Sequence, residues 1–344
     1  MSRFSQFQKF FPQQPKKQKY CMSRPFDVEG DNFKLSVFHN AYTVPSRNDM
    51  LIIIPFFNPC NSVRMLQNML LVKNKLEVAK IPFIVIHCIF PNNVPLGEET
   101  NNYQVVYSNS YAFVKENLAN IAIQKLENKY DKFLIHDCDI IYEENDWYDR
   151  VSDSLDYADI VQPYETFKNL DKNFLNVTKE DRSIFAEHKR QTDTTCVLQG
   201  HPGYLIAFTR NFWQSHYYPD ENLIGGGDTL LCSLALKKKL FENQHNAEHM
   251  EYVYNKYITD LEIKTDFVQC TIYHLYHNIT SNRQYTTRYF ILNSYINDET
   301  PYNDISDIIT RNSDNVYEWI DEVRDNINND ILSYFASRED DEVP

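Results

Sequence analysis

Residues 50–57, MLIIIPFF, hold no charged or hydrogen-bonding side chain. The run is far too short to span a membrane and apolar on both faces, so it predicts a strand buried on both sides. The texture returns at PFIVIHCIF (82–90), YQVVYS (103–108), KFLIHDCDII (132–141) and DIVQPYE (159–165). Between these runs, Val63–Ala79, Phe113–Leu126 and Asp146–Leu155 place apolar residues at helical spacing, with Asp146 as the helix cap. That rhythm predicts an α/β fold with a mixed, mostly parallel central sheet flanked by helices. In such sheets ligands bind beyond the carboxyl ends of the strands.

Further along, 166–197 is polar and reads as an irregular insertion, YLIAFT (204–209) as a strand, and Asn211–His216 and Thr229–Phe241 as helices. TIYHLYH (271–277) is a late strand. From 313, Val316, Trp319, Ile320, Val323, Ile327 and Ile331 mark an amphipathic helix, followed by SREDDEVP, expected to be a disordered acidic tail. The expected division is an N-terminal arm over 1–45, a main α/β domain over 46–295 and a C-terminal helical extension over 296–344. No internal repeat is visible.

A net charge of −14 argues against a nucleic-acid partner, which needs clustered Lys and Arg, and suits a protein that holds divalent cations. The seven cysteines are dispersed, with no Cys-x-x-Cys, and read as reduced thiols. No apolar run is long enough for a membrane span, and the first twenty residues lack the core of a secretion signal. The expectation is a cytoplasmic, unsecreted protein. Its oligomeric state is not written in the sequence.

Asp137 and Asp139 follow the apolar run Phe133-Leu134-Ile135, with His136 between. Aspartates one residue apart point to opposite faces of an extended strand, so they share a cation only if the strand ends and the chain turns. A buried, unpaired carboxylate is costly, and a hard divalent cation such as Mn²⁺ or Mg²⁺ removes that cost. The pair therefore reads as a metal site at a strand end.

Glycine is rare, with seven in the chain, yet five lie at 200, 203, 225, 226 and 227. Such clustering signals special backbone geometry or close approach to a ligand. Asp228 follows Gly225-Gly226-Gly227 and precedes an apolar helix. It reads either as the helix N-cap or as a carboxylate base facing a substrate hydroxyl. His274 and His277 lie in YHLYHN, and on a strand they would face opposite ways, leaving one of them for a metal or substrate. His245-Asn246-Ala247-Glu248-His249 matches a zinc-peptidase pattern, but its segment is polar with weak apolar periodicity and reads as a solvated helix.

Taken together, the Pro and Asn ending the first strand, the Asp-x-Asp after the fourth, GGGD before a helix and the late His strand resemble metal-dependent glycosyltransferases of the GT-A fold. The likeness is to the catalytic domains of β-1,4-galactosyltransferases and polypeptide N-acetylgalactosaminyltransferases, and covers roughly residues 48–292. It implies transfer of a sugar from a nucleotide-sugar donor, a UDP-sugar first, to a glycan or protein hydroxyl. Pro55 and Asn58 would line the nucleotide pocket. Asp137 and Asp139 would sit at the diphosphate with Mn²⁺ (or Mg²⁺), and His277, or alternatively His274, would complete the metal site. Asp228 would be the base of an inverting transfer, and Arg283 and Arg288 would hold the leaving diphosphate. Gly200, Gly203, Gly226 and Gly227 would lie on the acceptor side. The chain departs from the family where Gly227 replaces a Glu before the base, and where Leu223 and Ile224 replace a Trp. The alternatives are a sugar-nucleotide nucleotidyltransferase, which would want a glycine-rich loop where FFNPCNSVR stands, and a non-catalytic nucleotide-sugar-binding domain.

Overall fold

Strand β1 (Met50–Phe57) lies inside a seven-stranded sheet, with β2 (Phe83–Ile89) and then β3 (Tyr103–Tyr107) on one side and β4 (Lys132–His136) on the other. The computed structural model describes residues 35–191, 198–241, 248–278, 280–285, 287–297 and 299–341. The four strands run parallel, and Ile53 pairs with Ile84 on one side and Ile135 on the other. Beyond β4 come β9 (Leu205–Thr209), β6 (Ile160–Gln162) and β10 (Thr265–Phe267). β9 is antiparallel to both neighbours, and β6 and β10 pair in parallel. The sheet is thus mixed and mostly parallel, with helices on its faces, as the sequence rhythm predicts.

Strand periodicity sorts β1 into two cores. Leu51 and Ile53 pack on one face with Leu118 and Ala122 of helix α2 (Lys115–Leu126). Ile52, Ile54 and Phe56 pack on the other with Val72 and Leu76 of helix α1 (Val63–Val78). Val37, Phe38 and Tyr42, from the stretch read as an arm, are buried in this second core. Ser62 caps α1, its hydroxyl accepting from the Met65 N–H at 3.1 Å. Helix α3 (Trp147–Ser154) also packs in the second core, but Asp146 does not cap it through its side chain. That carboxylate pairs instead with Arg150 at 2.9 Å, one turn on.

A second sheet stands at the carboxyl edge of the first, in the order β5 (Ile140–Tyr142), β11 (Thr271–His274), β7 (Thr166–Leu170) and β8 (Val177–Arg182). The stretch 166–197 is therefore not irregular where it is described, since β7, β8 and helix α4 (Ile184–Arg190) fill most of it. β8 is exposed at every residue and is a strand because β7 pairs with it, a tertiary cause that local apolar pattern does not record. The helix expected from 313 begins later. Tyr317–Trp319 is β13, paired with β12 (Ile309–Arg311), and helix α9 spans Asp321–Ser337. Helix α5 (Arg210–His216) follows β9, and α6 (Gly227–Leu236), α7 (Glu248–Tyr257) and α8 (Phe290–Asn293) complete the helices used below. Beyond α9, the Asp341 carboxylate accepts from the N–H groups of Val63 and Arg64 at 3.0 and 2.9 Å. No described helix is long and apolar enough to cross a membrane.

Ile53 is fully buried between two parallel neighbours and beneath α2. Ile53→Ala is expected to cost about 2–5 kcal/mol, read as a lower urea midpoint with an unchanged slope.

Candidate active site

β4 ends at His136, and the chain turns through Asp137-Cys138-Asp139 before β5 begins at Ile140. The Asp137 N–H donates to the Tyr204 carbonyl at 3.1 Å, tying the turn to the start of β9. The Leu275 N–H donates to the Asp139 carbonyl at 2.8 Å, tying it to the end of β11. This turn leaves strand alternation behind, so both carboxylates line one cavity of about 940 Å³ at the carboxyl edge of the sheet.

The two aspartates then diverge. Asp139 meets both histidines. Its Oδ2 lies 2.8 Å from His277 Nε2 and 3.6 Å from His274 Nε2, and the two Nε2 atoms are 3.2 Å apart. The expectation that one His would be turned away fails because β11 stops at His274 and the chain bends before His277. Pairing of His274 with Ile140 across β11 and β5 then brings both rings beside Asp139. These three residues make a group able to hold one metal ion. Burial alone would raise the Asp139 carboxyl, but His277 and His274 hold it well below the usual carboxylate range.

Asp137 is not part of that trio. Lys115, in the first turn of α2, bridges Asp137 Oδ1 and Asp228 Oδ2, each at 2.8 Å. Burial raises the Asp137 carboxyl, Lys115 opposes the rise, and Asp228 and Asp139 add to it. The same carboxylates hold the Lys115 ammonium well above its ordinary value despite burial. Asp228 also accepts from the Tyr218 hydroxyl at 3.4 Å. It is not the cap of α6. That position belongs to Gly226, whose φ of +101° is left-handed, and Asp228 lies one residue inside the helix.

Pro55 and Asn58 line the cavity near the end of β1. The Asn58 side chain exchanges hydrogen bonds of 2.8 Å with the Ser62 backbone and so shapes the turn into α1. Gly203 and Gly226 also line the cavity; Gly200 and Gly227 border it without being part of its wall. A Cβ at Gly203 would lie 2.9 Å from Asp228 Oδ2, so this glycine lets the backbone approach the carboxylate. Arg283 reaches His277, with its Nη2 2.7 Å from Nδ1. Arg288 is buried over the rings of Phe113, Tyr285 and Tyr289, and its Nε has no hydrogen-bond partner among the described residues. Neither guanidinium ion-pairs with a described carboxylate.

Several residues of the cavity carry no local signal in the sequence: Lys115, Glu116, His201, Tyr204 and Asp340. His201 stacks on Tyr204 at 4.1 Å, and Tyr204 stands 4.8 Å from His274. Asp340 lies 3.4 Å from His277 Nδ1. For Lys115 and Glu116 the available hint was polar residues on a buried helix, since Glu116, Asn117 and Asn120 of α2 are all buried. Of the zinc-peptidase pattern, His245 lies outside the described residues. His249 is buried on α7 against Tyr289, with neither ring nitrogen bonded to a described residue.

No protein-family model matches the chain, and no curated protein sequence matches it. Among solved structures, it is similar to the catalytic domain of Drosophila beta1,4-galactosyltransferase 7 in complex with xylobiose, at 10% identity and a TM-score of 0.35, over 82% of this chain and 98% of that one. It is also similar to glucosyl-3-phosphoglycerate synthase of Mycobacterium tuberculosis in complex with Mg²⁺ and UDP, at 12% identity and a TM-score of 0.31, over 66% and 71%. A third is 4-diphosphocytidyl-2C-methyl-D-erythritol synthase of Anaerococcus prevotii, at 12% identity and a TM-score of 0.31, over 69% and 90%. Likenesses this distant carry no argument about the chemistry of this chain, which rests on its own residues.

The depressed Asp139 carboxyl fixes a pH dependence. A carboxyl whose folded pKa lies below its unfolded value of about 3.9 stabilises the fold above that pH, and the contribution fades as pH falls through the folded value. In metal-free protein, Asp139→Asn is expected to be about 1–3 kcal/mol less stable than wild type at pH 6. Urea titrations at descending pH should show the gap closing below about pH 4.

Proposed function

We propose that the chain is a metal-dependent glycosyltransferase of the GT-A type, moving a sugar from a UDP-sugar to an acceptor hydroxyl. The observation that carries this reading is a division of charge within one cavity. Asp139, His274 and His277 converge on one point, two guanidinium groups without carboxylate partners stand nearby, and the Asp228 carboxylate shares the same cavity. Guanidinium groups that line a cavity without a direct ion pair suit a polyanionic ligand.

One carboxylate oxygen and two imidazole nitrogens, from Asp139, His274 and His277, would hold a divalent transition ion, and Mn²⁺ is the one proposed. When bound, the metal acts as a Lewis acid on the diphosphate. Arg283 and Arg288 hold the diphosphate oxygens and receive the charge that develops on them. The acceptor oxygen attacks the anomeric carbon, its proton passes to Asp228, and the bond to the diphosphate breaks with its electron pair leaving on the UDP oxygen. Lys115, bonded to Asp137 and Asp228, fixes the base in place. Direct attack with a carboxylate base inverts the anomeric centre.

A nucleotidyltransferase that holds its triphosphate at the helix after strand one would need free N–H groups there. Here those of Val63 and Arg64 are taken by Asp341, which disfavours that alternative.

A thermal-shift panel of UDP, GDP and their sugars with and without Mn²⁺ tests the reading. A ligand at a hundred times its dissociation constant stabilises by about 2.7 kcal/mol, a visible rise in midpoint. The rise should require Mn²⁺ and vanish in Asp139→Ala. Asp228→Asn should keep the shift and lose about 10²–10⁴ in transfer rate. No shift with any nucleotide would sink the proposal.

A further inference from the structure

The proposed reaction gives Glu116 nothing to do. It is 4% exposed and lines the same cavity as Asp228. Among the described residues no other side chain hydrogen-bonds or ion-pairs with it, because Lys115 commits its ammonium to Asp137 and Asp228. Burial pushes the Glu116 carboxyl up to about 8, against the pull of Lys115 and with the help of Asp228. Its own backbone N–H is a hydrogen-bond partner, but a buried carboxyl that no other side chain meets is costly to the fold, and a cavity wall that keeps one marks a ligand contact.

Gly227 supplies the second observation. A Cβ there would lie 2.1 Å from Glu116 Oε1 and 2.3 Å from its Cδ. Gly227 is not among the residues with positive φ, so its backbone admits any side chain and glycine is needed there for room. The Glu116 carboxyl, carried in from α2, fills the volume that a side chain at 227 would take. It therefore lies against the residue that immediately precedes Asp228, in the first turn of α6.

We propose that Glu116 is an acceptor-binding residue that holds the hydroxyl next to the one facing Asp228, so that the site selects sugars with two adjacent hydroxyls. This rests on the transferase reading of the cavity. One carboxyl takes the proton of the attacking oxygen and the other fixes the ring beside it. A site built around such a contact rejects analogues that lack the second hydroxyl, since a buried polar group is then left unpaired.

The test is calorimetric titration of D-xylose, D-galactose and N-acetyl-D-glucosamine into the full chain, with UDP and Mn²⁺ present and again without nucleotide. Wild type should bind at least one of them, and Glu116→Ala should bind it about ten- to a hundredfold more weakly. The variant should keep the wild-type affinity for UDP and Mn²⁺. Its melting temperature should equal or exceed that of wild type, because a buried carboxyl that no other side chain meets has been removed; a purely structural Glu116 would give a lower one. The double variant Glu116→Ala, Gly227→Glu, which returns a carboxylate to the same space from the other chain segment, should recover sugar binding. Unchanged sugar affinity in Glu116→Ala, or no sugar bound by wild type in either condition, overturns the proposal. Failure of wild type to bind UDP with Mn²⁺ counts against the transferase reading alone, because the titration without nucleotide still reports on Glu116.

Discussion

Two backbone hydrogen bonds hold the candidate site in place, from Asp137 N–H to the Tyr204 carbonyl and from Leu275 N–H to the Asp139 carbonyl. They join three segments far apart in sequence at the point where the chain passes from the large sheet to the small one. The first extends the β4–β9 ladder one step past the His136–Leu205 pair, and so fastens the Asp137 turn to the Gly200–Tyr204 loop that approaches Asp228. The second continues the β11–β5 pairing past His274–Ile140 and holds the bend before His277 against Asp139. Because β9 runs against β4, its beginning rather than its end arrives at the site, which is how a strand start comes to line a cavity at the carboxyl edge.

Charge is arranged in the cavity by pairing rather than by dilution. Lys115 satisfies two carboxylates at once, and the imidazoles of His274 and His277 face a third. Arg283 and Arg288 stay without ion-pair partners among the described residues, and so does Glu116. In a dry interior such leftovers are costly, so they mark where the protein expects other molecules to complete its contacts.

The central strands were legible because burial on both faces writes an uninterrupted apolar run into the sequence, as in Ile52, Ile53 and Ile54. β8 was not, since Val177–Arg182 is exposed throughout and takes its form from β7 alone. Tyr317–Trp319 was hidden inside a helical period that α9 continues in register. At the site, Asp137, Asp139 and Asp228 could be picked out from short-range context, as could the histidine pair. That Lys115 joins Asp137 to Asp228 could not, because the second contact spans 113 residues and depends on where α2 and α6 come to rest. The joint arrival of His274 and His277 depends on a bend that strand periodicity does not encode.

The end of α9 adds a thermodynamic link. Phe335 and Arg338 form part of the cavity wall, and the Tyr334 hydroxyl donates to the Arg283 carbonyl at 2.8 Å. Anything that fills the cavity touches this last turn as well as the strands beneath it, and becomes part of what keeps the turn folded. Fraying of α9 and escape of a bound molecule are therefore coupled equilibria: a ligand slows hydrogen exchange at amides that lie outside both sheets, and a change that loosens the helix shortens the ligand's residence without altering any group that reacts.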